Sequence, residues 1–220
     1  MIKKCFENKD FSILWSAGCM TGIARAMEFL ALSLYVMQEL GLPYFVTIIF
    51  AARMVPMSLF GIIIGTISER VSPILVIQTI YSLSNLITGI SILLVLTGNF
   101  NLVFAFVLAF TNGITWVVDL AVRRRVLVDY VNKSLLSSSL AMETLSNNAT
   151  RLIGPLCAGA IYTYIGLEGI FILQLAMYII ALLLIIKFKK LKKHNINLSS
   201  LVSNRKELKP HWAHGLLKEI

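Results

Sequence analysis

Six long runs of apolar residues, separated by short polar breaks, make up most of the chain: Phe11 to Met37, Tyr44 to Ile67, Ile74 to Leu96, Phe100 to Val122, Leu140 to Tyr164 and Gly169 to Ile186. A helix crosses a bilayer core of about 30 Å with roughly 20 residues, within a range of about 17 to 25. The pattern therefore predicts six transmembrane helices, preceded by a short N-terminal segment over residues 1–10 and followed by a basic tail over residues 187–220. The expected class is an all-α polytopic membrane protein. Lys3 and Lys4 ahead of an apolar run have the look of a secretory leader. The run outlasts the roughly 7 to 15 residues of a leader core, so it is expected to be a permanent span.

Composition supports a lipid setting. Hydrophobic residues make up 57% of the chain and charged residues 14%, where a soluble domain carries about 25% charged residues. The net charge of +9 raises the question of nucleic acid, and the placement of the charges answers it. Of the 20 lysines and arginines, Arg25, Arg53 and Arg151 lie inside spans. The other 17 all fall on one side: three before span one, one between spans two and three, four between spans four and five, and nine after span six. This positive-inside pattern places both termini in the cytoplasm. The basic tail has only Phe188 and Trp212 as aromatics, too few to interleave with its charges for stacking bases, so no nucleic-acid partner is expected. Lys187 to Lys193 read either as a stop-transfer anchor or as a contact for anionic headgroups.

The loops expected to face outward are Gln38 to Pro43, Thr97 to Asn99 and Ile165 to Glu168, too short for an extracellular domain. Cys5, Cys19 and Cys157 have neither metal nor disulfide spacing. His211 and His214 lack a third ligand. No metal, cofactor or enzymatic motif is expected, and the chemistry falls to polar residues within the membrane.

A charge at the centre of a membrane helix costs at least about 2.5 to 3.5 kcal/mol, so such residues normally face a partner or a wet cavity. Span one carries Arg25 and Glu28, span two Arg53, span four Asp119, and span five Glu143 and Arg151, whereas spans three and six carry none. Spans one, two, four and five are therefore expected to line something polar. Arg25 and Glu28, three residues apart, share a helical face on which they can pair. Asp119, one turn before Arg123, reads either as half of a surface salt bridge or as a gating group. Glu143, one turn inside span five, is placed to snorkel to the interface. Arg53 and Arg151 lie too deep for that escape.

The two deep arginines share a context. Span two reads Ala52-Arg53-Met54-Val55-Pro56 and span five reads Thr150-Arg151-Leu152-Ile153-Gly154-Pro155. In a unit of two three-helix repeats, span five is the counterpart of span two, and helices interrupted at equivalent positions of inverted repeats point to a transport site. Pro155 removes a backbone donor and bends the helix, while Gly154 and Gly159 offer a small-residue face for close packing.

Several stretches now carry a resemblance: Asn8-Lys9-Asp10-Phe11 leading to Leu14-Trp15, Phe50 through Met57, Gly61 through Gly65 to Glu69-Arg70, Arg123-Arg124 before Asp129-Tyr130-Val131, and Arg151 through Pro155 with Gly159. In this order they resemble the N-terminal half of a major facilitator superfamily transporter of the bacterial multidrug and siderophore exporter branch, over about Asn8 to Lys190. The resemblance implies six helices as 3+3 inverted repeats, with spans one, two, four and five around a central cavity and spans three and six facing lipid. It implies a gating loop at Gly65, Glu69 and Arg70, with Arg123 and Arg124 in the loop after span four. Glu69 stands where the family places Asp, and Ser72-Pro73-Ile74 stand where it places a basic pair.

The implied function is secondary-active transport, expected to be proton-coupled efflux of a small organic molecule. Glu28, Asp119 or Glu143 would carry the proton; Arg25, Arg53 and Arg151 would either hold an anionic substrate group or lock those carboxylates. The family builds its path between two six-span halves, and His211 to Ile220 look like the lead-in to a seventh span. A homodimer or a separate second half is therefore the expected partner besides substrate, protons and lipid. The alternative is a transport-incompetent remnant or a membrane interaction protein of the same fold.

Overall fold

The computed structural model describes residues 6–7, 9–68, 72–131 and 133–207. Among these the chain forms six long helices: α1 (Lys9–Leu40), α2 (Pro43–Ser68), α3 (Pro73–Leu96), α4 (Leu102–Tyr130), α5 (Lys133–Ile165) and α6 (Leu167–Glu207). Their boundaries have local causes. Pro73 stands at the start of α3, where its missing N–H is not needed. Asn101 caps α4, its side chain accepting from the Phe104 amide at 2.9 Å. Gly41, Gly98 and Gly166 have φ of 63°, 68° and 85°, the left-handed geometry that ends a helix and suits glycine. These three glycines make the tight turns of the α1/α2, α3/α4 and α5/α6 hairpins.

The helix packing repeats itself. α1 lies against α5 and α6, α4 lies against α2 and α3, and α3 lies against α6. Exchanging α1–α3 with α4–α6 leaves this pattern unchanged. Each repeat has three antiparallel helices, an odd number, so the second starts from the opposite face of the membrane. The result is a pair of inverted repeats.

Pro56 and Pro155 lie inside α2 and α5, which continue through both. α4 also continues past the apolar run, so Arg123 and Arg124 sit on a helix rather than in a loop. The backbone of α6 remains helical through Glu207.

Four helical segments among the described residues are long and apolar enough to cross a membrane: Lys9–Glu39, Pro73–Leu96, Leu102–Asp129 and Leu167–Phe188. α2 contributes a shorter apolar segment, Pro43–Leu59. α5 is too polar to qualify alone, because Glu143, Asn147 and Arg151 line contacts with other helices and the cavity described below.

Two apolar clusters cap the bundle. One gathers Phe11, Leu14, Ile77, Tyr81, Val126 and Phe188; the other gathers Leu32, Val36, Ile49, Leu108 and Phe171. Leu86, Ile90 and Leu93 of α3 and Ile172, Ile179 and Leu183 of α6 are exposed, as a lipid-facing surface requires. Arg25 and Glu28 of α1, Asp119 of α4 and Gln174 of α6 are buried at positions between the two clusters along their helices.

Candidate functional site

A cavity of about 500 Å³ opens between α1, α2, α4 and α5. α2 contributes Phe50, Arg53, Met54 and Met57 to its wall. Ala26 and Phe29 of α1, Trp116 of α4, and Arg151 and Pro155 of α5 complete it. No residue of α3 or α6 lines it among those described.

Glycines let these walls approach. A Cβ on Gly113 would sit 2.3 Å from the Arg53 carbonyl oxygen, so α4 meets the α2 backbone one turn before Trp116. A Cβ on Gly154 would sit 2.4 Å from the Ala26 Cβ, which makes α1 the helix that Gly154 admits. Gly159 plays no equivalent part: its nearest neighbour would be Leu30 Cδ2 at 3.9 Å, an ordinary contact.

The arginines of the cavity stack on its aromatics. The Arg53 guanidinium lies 5.2 Å from the Phe29 ring centre and 5.4 Å from that of Trp116. Arg151 lies 4.7 Å from the Trp116 ring centre. Arg53 also donates to the Arg25 carbonyl oxygen at 3.3 Å, while its Nε is buried without a hydrogen-bond partner. Neither arginine forms an ion pair among the described residues.

Beside the cavity runs a buried charge chain. Arg25 donates to Asp119 at 2.6 Å. Arg123 reaches the same carboxylate at 3.5 Å and Glu143 at 3.3 Å. The Tyr81 hydroxyl donates to the other Asp119 oxygen at 2.9 Å. The Arg123–Glu143 approach is an ion pair whose atoms are not aligned for a hydrogen bond. All four charged residues are buried, with Asp119 at 0% exposure. Gly18 makes room for Arg123: a Cβ there would fall 1.4 Å from Nη1.

Glu28 is separate. It is buried, accepts a hydrogen bond from Gln174 of α6, and has no ion pair among the described residues. It borders a small polar pocket with Thr88, Asn112, Thr115 and Tyr178.

These positions revise several sequence expectations. Arg25 and Glu28 share α1 but find different partners, on α4 and α6. Asp119 is not a surface group, because Tyr81 and both arginines enclose it. Glu143 does not snorkel; it turns inward to Arg123. Glu69 and Arg70 lie outside the described residues, as do His211 to Ile220, and Gly65 is within α2. Trp116, Tyr81 and Gln174 were not foreseen. An uncharged residue in an apolar run signals nothing until its neighbours are known.

The family model described as Major Facilitator Superfamily matches residues 14–217. The chain belongs to this superfamily. No curated protein and no solved structure matches it. Superfamily membership makes this chain an integral membrane transporter, with a small molecule as its substrate and the bilayer as its surroundings. The cavity walled by both inverted repeats is the candidate place for substrate chemistry.

Proposed function

We propose that this chain exports a small organic molecule in exchange for protons, with Glu28 as the proton carrier. Its charge setting carries the reading. Asp119 and Glu143 face guanidinium groups within 4 Å, so protonating either would strand a buried cation. Glu28 has no guanidinium within 4 Å among the described residues; Arg53 and Arg25 act on it from farther away, so its protonation breaks no direct ion pair. It is also adjacent in sequence to Phe29 of the cavity wall, so a change of charge there reaches the cavity through one helix.

A second six-helix unit, either another copy or a separate half, closes the open side of the cavity in this proposal. Leu152 and Leu156 of α5, 72% and 74% exposed, and Val55 of α2 supply an apolar rim on which it would pack. The bilayer is taken to be a bacterial inner membrane, with the basic ends in the cytoplasm; the one-sided distribution of lysine and arginine supports that orientation.

The test is proteoliposome flux. With an imposed pH gradient, wild-type protein should drive accumulation of a member of a panel of fluorescent organic anions and cations, with matching proton movement reported by trapped pyranine. Glu28→Gln should abolish gradient-driven accumulation and keep gradient-free substrate exchange. Substrate flux without proton movement in wild type, or full coupling in Glu28→Gln, would overturn the assignment.

A further inference from the structure

We propose that the cavity selects organic anions, specifically a carboxylate on an apolar body, held by the edges of the Arg53 and Arg151 guanidinium groups. The proposal rests on the transport reading for its biological meaning, but its physical basis is independent of coupling.

Charge placement is the first argument. Arg25 is matched by Asp119, and Arg123 by Asp119 and Glu143. Arg53 and Arg151 are the two cavity-lining cations left without an ion pair among the described residues, and no described carboxylate lines the cavity. A cationic substrate would meet two positive groups in a setting of low dielectric. Glu28 acts on Arg53 from beyond ion-pair distance, and an anion in the cavity would supply a counter-charge in direct contact.

Stacking is the second argument. Arg53 lies over both Phe29 and Trp116, and Arg151 over the same Trp116. The distances to the shared ring place the two guanidinium carbons within about 10 Å of each other. An arginine stacked by its face keeps its N–H donors in the plane, directed away from the rings, and those edges match a planar carboxylate in bidentate geometry. The cation–π contacts hold the donors in place without neutralising them.

The rest of the wall defines the other end of the ligand. Phe50, Met54 and Met57 are apolar and adaptable in shape. A volume of about 500 Å³ falls within the usual range for sites that take small organic ligands.

Three isosteric probes test the assignment on the full chain in nanodiscs: 2-naphthoate, neutral 2-naphthylmethanol and cationic 2-naphthylmethylammonium. Naphthoate should bind at least about tenfold more tightly than the neutral probe, as expected from one charge-assisted hydrogen-bonded pair. Arg53→Gln/Arg151→Gln should erase that preference, while Arg53→Lys/Arg151→Lys should retain part of it. If the double glutamine variant does not fold, Arg151→Gln alone, at an exposed position, should lower the preference severalfold. Equal or tighter binding of the neutral or cationic probe, or an unchanged preference in the glutamine variants, would refute the anion site. Binding is read without transport, so the two readings fail separately. Naphthoate preference without proton-linked flux rejects only coupling; proton-linked flux of the ammonium probe without naphthoate binding rejects only the anion site.

Discussion

Asp119→Asn removes one charge and almost no volume, which makes it a direct probe of the buried chain. In the native protein Asp119 receives Arg25 at 2.6 Å, Arg123 at 3.5 Å and the Tyr81 hydroxyl at 2.9 Å, all from buried donors. Asparagine can still accept from Tyr81, so that bond is largely kept. Among the described residues, Arg25 loses its one ion-pair partner and Arg123 keeps only the misaligned Glu143. Breaking a buried ion pair by removing one partner costs about 3 to 5 kcal/mol; the retained acceptor puts the expected loss near the lower end, about 3 kcal/mol. Replacing both sides, as Arg25→Met/Asp119→Asn, removes the stranded Arg25 charge while Tyr81 keeps an acceptor, and should recover more than half of that loss. Unfolding in mixed micelles titrated with sodium dodecyl sulfate, followed by circular dichroism, measures both. The reasoning fails if Asp119→Asn unfolds within 1 kcal/mol of wild type, or if the double variant is no more stable than the single one.

Gly18→Ala should displace the Arg123 guanidinium, since the new methyl would fall 1.4 Å from Nη1; a loss of about 2 kcal/mol in the same titration is expected for this overpacking. Gly113→Ala should push α2 from α4 through the Arg53 carbonyl and weaken naphthoate binding, whereas Gly159→Ala, with 3.9 Å of clearance, should leave binding and stability unchanged. Trp116→Ala removes the ring shared by both arginines. Each cation–π contact contributes about 0.5 to 2 kcal/mol, so naphthoate affinity in the nanodisc assay should fall by at least about fivefold.

The sequence by itself determined the architecture and the polar side of it. Apolar run length and the short polar breaks set where helices can begin and end, and the cost of a charge in lipid dictated that Arg53 and Arg151 face something other than hydrocarbon. The parallel between the two arginine–proline stretches was legible too, because the two repeats use them in corresponding helices and both arginines reach one cavity.

Tertiary structure decided the partners. Spacing along a helix places Arg25 and Glu28 on one face, yet cannot say which neighbouring helix brings a group closer than the other side chain. Asp119 lies 94 residues from Arg25 in sequence and Gln174 lies 146 from Glu28, and only packing makes them neighbours. The same holds for Trp116, an ordinary aromatic in an apolar run until Gly113 lets α4 approach α2 and sets its ring beside two arginines. Local pattern fixes which residues must be satisfied within the membrane; inter-helix distance fixes what satisfies them.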